Sequence, residues 1–219
     1  MFPRSRRAML SVKARVLLWI MQTSFYLWLA KHVVPYIRFN WYYTSLRGDK
    51  WAEGYDLLRP GDIILSGDKW KLTTIMIGGE WCHASVCIAK GLGVDYEVAE
   101  MTHTNYTKSW FFDVVKEATR VAIIRCKNWD YDYIHEVIIP ECRKLEHAVY
   151  DYSFELNNFT YGIPVLYCSE LVVVIDKESR LKVDHSQGVL GRDHVSATDL
   201  SLAEPIEWIY DTAGIMVKH

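Results

Sequence analysis

The stretch that most constrains how this chain can fold runs from Tyr161 to Asp176, reading Tyr-Gly-Ile-Pro-Val-Leu-Tyr-Cys-Ser-Glu-Leu-Val-Val-Val-Ile-Asp. Gly162 and Pro164 break any regular structure before it, and Pro164 disfavours a helical backbone at Ile163. The polar step Cys168-Ser169-Glu170 then leads into the apolar run Leu171 to Ile175. This pattern predicts a helix that begins near Cys168 and buries its body. A thiol at a helix N-terminus lies among unpaired backbone N–H groups, at the positive end of the dipole. Both favour thiolate over thiol, and so turn a residue that otherwise packs as a small hydrophobe into a nucleophile. One cysteine alone does not make a site, so the reading depends on a base and a group to hold that base.

Composition narrows the alternatives. The 219 residues suit one domain, or one domain with an appendage. With 50% hydrophobic residues and a net charge of -2, neither disorder nor a polyanionic partner is indicated, and nucleic acid is disfavoured. The five cysteines (Cys82, Cys87, Cys126, Cys142 and Cys168) are an odd number with no CxxC pair. That argues against a structural zinc site and against a disulfide framework, and unpaired thiols suit a reducing compartment. No repeat, P-loop or dinucleotide-binding fingerprint is present, and thiol-dependent hydrolysis, the chemistry taken up below, requires no metal or organic cofactor.

Near the N-terminus, Arg4, Arg6, Arg7, Lys13 and Arg15 precede the uncharged segment Val16 to Ala30. Its 15 residues fall short of the roughly 20 that cross a hydrocarbon core. Reaching that length through Ile37 takes Lys31 along. Residues 1–38 are therefore expected to form a hydrophobic appendage, and three readings stay open for 16–37: a membrane anchor, a helix in the interface with Trp19 and Trp28 at headgroup level, or a core helix. A spanning segment would keep its basic end cytoplasmic; without membrane association the protein is expected to be cytoplasmic. Residues 39–56 read as a connector and 57–219 as the globular domain.

That domain opens with Pro60-Gly61-Asp62, a turn with Asp62 as its capping residue, and a short buried strand over Ile63-Ile64-Leu65. Trp81 to Ala89 reads as a strand in which Trp81, His83, Ser85 and Cys87 share one face. Cys82, Ala84, Val86 and Ile88 take the other, so Cys82 and His83 point apart. Tyr96 to Met101 follows as the second arm of an antiparallel hairpin, with Val98 and Glu100 on one face. A further strand spans Arg120 to Cys126. A helix is expected from about Tyr131 to Leu145, interrupted at Pro140 and resuming over Glu146 to Tyr152. Ser196-Ala197-Thr198-Asp199 predicts a helix cap, and Trp208-Ile209-Tyr210 a last strand.

Cys168, His83 and Glu100 together are the set a thiol hydrolase needs. The sulfur attacks, the imidazole takes and returns a proton, and a carboxylate fixes the imidazole tautomer. Two neighbouring strands can hold His83 and Glu100 side by side while a helix on the sheet presents Cys168. A metal-dependent hydrolase using His83, His103 and a carboxylate is the competing chemistry. A binding module without turnover is the competing class.

These pieces resemble the circularly permuted papain-like enzymes of the NlpC-type superfamily, in particular the YiiX-like group. The resemblance covers about Leu57 to Tyr210. It rests on Leu58-Arg59-Pro60-Gly61-Asp62-Ile63-Ile64, His83-Ala84-Ser85-Val86, Glu97-Val98-Ala99-Glu100-Met101, Tyr167-Cys168-Ser169-Glu170-Leu171-Val172 and, with Ala197 in place of a proline, Val195 to Leu200. It implies an α+β papain-like domain in circular permutation, with an antiparallel sheet on which the catalytic Cys helix packs. It also implies Cys168 as nucleophile, His83 as base and Glu100 as orienting residue, with the Cys168 backbone N–H in an oxyanion hole. A register error in the strand would put Glu97 in the place of Glu100. Cys82 departs from the family's small residue before the histidine, and 131–158 is an insertion. The implied substrates are cell-wall peptides or acyl lipids, handled by hydrolysis or by acyl transfer of the lecithin–retinol acyltransferase type.

Overall fold

A computed structural model describes residues 19, 23–34, 37, 48–68, 79–91, 95–154, 156, 158–184, 186–187 and 193–213. In chain order the first elements are α1 (Ser24–His32), α2 (Asp49–Leu57), β1 (Ile63–Gly67), β2 (His83–Lys90), β3 (Tyr96–Thr102), β4 (Asn105–Trp110), α3 (Phe111–Val115) and β5 (Arg120–Cys126). A helix over 131–144, here α4, follows, then β6 (Val149–Tyr150), β7 (Asn158–Thr160), β8 (Ile163–Leu166) and α5 (Cys168–Ile175). The last elements are β9 (Ser186–Gln187), β10 (Asp193–His194), α6 (Ala197–Ser201) and β11 (Ile206–Asp211).

The fold is α+β, built on a six-stranded antiparallel sheet in the order β11-β5-β1-β2-β3-β4. Both faces are covered. Ile63, Leu65, Ala84, Val86, Ala99 and Met101 pack against α4 and α5. Ile64, Cys87, Val98, Val121 and Ile123 pack against Phe111 and Val115 of α3, with Trp51 and Tyr55 of α2 alongside. Burial on both sides explains why β1 reads as a continuous apolar run with no alternation, since every one of its residues is buried. Gly61 has φ +89, and a Cβ there would lie 2.6 Å from Ile134 Cδ1, so only glycine fits this turn. Asp62 caps the turn as expected, accepting from the Arg59 amide at 2.8 Å.

Several expectations are corrected. Trp81 packs with Ala84 and Val86 rather than sharing a face with His83, because β2 begins only at His83 and the period-2 rule does not reach Trp81. Pro140 does not interrupt α4. Residues Ile134–Ile138 widen into a π turn in which the Ile139 N–H reaches the Ile134 carbonyl, and Pro140 enters the first turn of the next α segment. Glu146 to Tyr152 is not helical: Val149 and Tyr150 form a short strand parallel to Val165 and Leu166. Gly162 and Pro164 do not end regular structure but sit in a hairpin. Tyr161 (φ 52) and Gly162 (φ 80) make the two-residue turn between β7 and β8. The end of the expected connector is α2, whose Lys50 carbonyl accepts from the Tyr210 hydroxyl at 2.6 Å. Of the hydrophobic segment 16–37, residues 16–18, 20–22 and 35–36 lie outside the described residues. Among the described ones, no helix is long and apolar enough to cross a membrane.

Candidate functional site

Three elements converge at one corner of the sheet. Tyr167 is the N-cap of α5, so Cys168 opens the helix, as its sequence position predicts. None of the residues at this end is held by a side-chain cap; instead, packing and hydrogen bonds to the chain before α6 fix it. Ser169 Oγ donates to the Val195 carbonyl at 2.7 Å, and the Val195 N–H donates to the Tyr167 hydroxyl at 3.0 Å. The helix body is rich in β-branched residues, which are mediocre helix formers. Burial of Leu171, Val172 and Ile175 against β2 and β3 holds it in place.

His83 opens β2 and Glu100 lies on β3, and alternation puts both on the face of Ser85 and Val98. The Cys168 helix lies on the other face, with Ala84 and Val86. The two sides meet because β2–β3 pairing begins at Ser85–Glu100. His83 and Ala84 precede that first rung, so the sheet is open there and the imidazole reaches the sulfur around its corner. His83 Nε2 is 2.7 Å from Glu100 Oε2. That leaves Nδ1 for Cys168, with which the ring interacts through a hydrogen bond and through charge. The sulfur lies 4.0 Å from the Cys82 carbonyl oxygen and accepts from the backbone N–H groups of Ala84 and Ser169.

The electrostatics follow from this arrangement. Burial pushes the Cys168 thiol up, but the His83 hydrogen bond and charge, with the two amides, outweigh it and hold the thiol below its ordinary value of 9.0. Burial disfavours imidazolium at His83, yet Cys168 and then Glu100 raise the ring well above 6.5. Glu100 is pushed up by burial and brought below 4.5 by His83 and Ser109. Each charged form stabilises the next, so the corner favours thiolate, imidazolium and carboxylate in a row.

Ser109 was not legible beforehand. Its hydroxyl donates to Glu100 Oε1 at 2.5 Å, and it sits opposite Val98 on β4, diagonal to Glu100 on the same face. Residues Asn105–Trp110 are mostly polar and show no regular alternation, so no signal in the sequence pointed to Ser109. Glu97 lies towards the far end of β3, opposite Trp110, and does not reach the imidazole. His103 sits in the β3–β4 turn, where its carbonyl accepts from Tyr152 Oη at 2.6 Å.

No family model matches this chain, and no curated protein matches it. Among solved structures it is similar to the crystal structure of the metalloprotein yiiX from Escherichia coli O157:H7, assigned to DUF1105. That similarity has a TM-score of 0.55 at 13% identity and covers 69% of this chain and 96% of that one. The fold is therefore YiiX-like.

Proposed function

We propose that this protein is a cysteine hydrolase, a circularly permuted papain-like enzyme that cleaves amide or ester bonds through an acyl-enzyme on Cys168. The observation that carries this reading is geometric: Cys168 opens α5 beside the His83 ring, and Glu100 Oε2 lies 2.7 Å from the ring's far nitrogen, an arrangement with which the downward direction at Cys168 and the upward direction at His83 agree. The Cys168 thiolate attacks the carbonyl carbon, and the C=O electron pair moves onto oxygen as the C–S bond forms. Collapse expels the amine or alkoxide, which takes the proton from the His83 imidazolium. The neutral imidazole then draws a proton from water as that water attacks the thioester, and the thiolate leaves. Glu100 stays ionised throughout, fixing the tautomer and supporting the imidazolium. The neighbour yiiX is described as a metalloprotein. Among the described residues here, no group of three His, Cys, Asp or Glu is placed to hold an ion. The side chains at the corner are turned to one another, so no step is routed through a metal.

Exposed aromatics favour a second refinement, an acyl substrate presented at a lipid surface rather than a wall peptide. Phe25 and Trp28 stack on α1, and Phe159, Tyr161 and Ile163 stand exposed at the β7–β8 hairpin, which leads straight into Cys168. Such residues suit a membrane interface. Co-sedimentation of the protein with phosphatidylcholine vesicles, with and without residues 1–38, tests it.

Iodoacetamide labelling near neutral pH tests the central reading. Cys168 is expected to alkylate far faster than the other four thiols, three of which (Cys87, Cys126 and Cys142) burial pushes up. Slow, equal labelling at all five points instead to a binding module on the same fold.

A further inference from the structure

A second sulfur stands at this corner. The carbonyl oxygen of Cys82 lies 4.0 Å from Cys168 Sγ, and the charges of both sulfurs act on one hydroxyl, that of Tyr150. A residue's Cα is less than ~3 Å from its own carbonyl oxygen. The two backbones therefore stand near the span that a disulfide bridges, with Cα atoms about 4.4–6.8 Å apart. Cys82 precedes β2 and lies outside its ladder. Its N–H and its thiol both donate to the Ser66 carbonyl, at 3.1 and 3.5 Å. A thiol is a weak donor, so one rotamer step about the Cα–Cβ bond frees this sulfur to turn from Ser66 towards Cys168. Trp81, one residue earlier, packs on the Trp208 ring and lies 4.5 Å from the Arg120 guanidinium, so Cys82 is presented from an anchored backbone. The other three thiols are no rivals. Cys87, Cys126 and Cys142 are buried in the two cores, and burial pushes each of them up, whereas Cys82 is partly exposed.

A thiolate open to a carbonyl substrate is also open to a peroxide, which is smaller, and thiolates are the form that peroxides oxidise. We propose that Cys82 is the resolving cysteine of a reversible off switch: hydrogen peroxide oxidises Cys168, and Cys82 closes a disulfide on it. The Cys168 thiolate attacks one peroxide oxygen. The S–O bond forms as the O–O bond breaks, sulfur gives two electrons to peroxide, and hydroxide leaves. The Cys82 sulfur then attacks the sulfenic sulfur of Cys168. The S–S bond forms, the S–O bond breaks, and the departing hydroxide takes the Cys82 proton as water. A dithiol reverses the bridge by exchange and ends as its own disulfide. While the bridge lasts, Cys168 has no thiolate with which to attack a carbonyl. It is also kept from the sulfinic acid, which thiols do not reverse. The switch regulates the site of the acyl-enzyme reading and rests on it in taking Cys168 as the reactive thiolate.

The test treats the full chain, reduced and desalted, with hydrogen peroxide, caps it with N-ethylmaleimide, and maps the unreduced digest by mass spectrometry. Wild type should give two peptides joined through Cys82 and Cys168. Iodoacetamide labelling of Cys168 should disappear as they join and return to within about twofold on adding dithiothreitol. Reduced Cys82→Ser should alkylate at Cys168 within about twofold of wild type, which also shows that the variant has folded. After peroxide its Cys168 should end as sulfinic acid, and dithiothreitol should recover about tenfold less labelling than in wild type. Sulfinic acid at wild-type Cys168 with no joined pair overturns the proposal, and so does a bridge from Cys168 to Cys87, Cys126 or Cys142. Recovery in Cys82→Ser equal to that of wild type does the same. Acetylation of reduced Cys168 by p-nitrophenyl acetate judges the acyl-enzyme reading separately. If Cys168 acetylates but does not bridge, the switch alone falls; if it bridges but does not acetylate, the switch stands and the acyl-enzyme reading falls.

Discussion

Two buried carboxylates in this protein, Asp62 and Glu100, are each held by a cation, and they behave in opposite ways. Asp62 accepts Arg125 Nε at 2.6 Å and Nη2 at 2.8 Å, a two-pronged pair beside the β1 turn. Burial still wins there, and Asp62 lies above its ordinary value despite Arg125 and Arg59. At Glu100 burial loses to His83 and Ser109, and the carboxyl lies below its ordinary value. The cation on Asp62 is permanent, whereas the imidazole beside Glu100 is a titrating group that Cys168 and Glu100 both push towards its charged form. The first pair holds a strand in place. The second transmits charge between two groups that titrate, which is what a reaction centre requires.

The largest effect that can break this comparison is loss of the ring. His83→Ala should slow Cys168 alkylation near neutral pH by about 10³-fold, since the thiol then has burial without its partner. Arg125→Met should leave Cys168 alkylation of the folded protein unchanged. Unmodified alkylation in His83→Ala would contradict the assignment of His83.

Glu100→Gln comes next. It keeps the shape and loses the charge, so acyl transfer should fall by about 10²-fold while the fold survives, as judged by circular dichroism. Arg125→Met reverses the pattern. It strands a buried carboxylate and should cost about 3 kcal/mol of stability in urea unfolding, with activity retained at low denaturant.

The pH dependence sharpens the contrast. Alkylation should rise along one limb whose midpoint lies below 9.0, as Cys168 ionises. Acyl transfer should show that limb and also a fall on the alkaline side, above 6.5, as His83 loses its proton. Stability follows the same signs. Glu100 titrates below 4.5 when folded, so its contribution is present above that value and is lost as pH falls through the folded pKa. His83 titrates above 6.5 when folded, so its share is full below that value and disappears as pH rises through the folded pKa.

Ser109→Ala should give the smallest change. Loss of one hydrogen bond to a charged carboxylate is worth about 1.5 kcal/mol, and should show as a several-fold slower acyl transfer and a small upward shift of Glu100 in carboxyl NMR titration.

Much of this corner was legible in the residues, for physical reasons. A polar step before an apolar run marks a helix start, and so Cys168 was placed at the head of α5. Alternation over Tyr96 to Met101 set Glu100 and Glu97 on opposite faces, but the choice of Glu100 came from the family resemblance and not from the period. Ser196 and Asp199 form the expected reciprocal cap, with bonds of 3.0 and 2.7 Å. What escaped was set by partners far along the chain. Val149 and Tyr150 are too few to show a period, and their strand exists because Val165 and Leu166 lie alongside. The polar β4 reads as loop until β3 supplies its pairing edge, and Ser109 is invisible without it. In the structure, alternation along β2 sets His83 on the face opposite the Cys168 helix. Only the late start of β2–β3 pairing explains how they meet, and no periodicity encodes where a sheet comes apart.

The central claim is that Cys168 rests as a thiolate because His83 rests as an imidazolium. Titration of the thiolate ultraviolet absorbance, taken as the difference between the wild-type protein and Cys168→Ala, measures this directly. The account predicts a midpoint below the ordinary thiol value that moves above it in His83→Ala. A wild-type midpoint at or above the ordinary value, unmoved by loss of the imidazole, would contradict it.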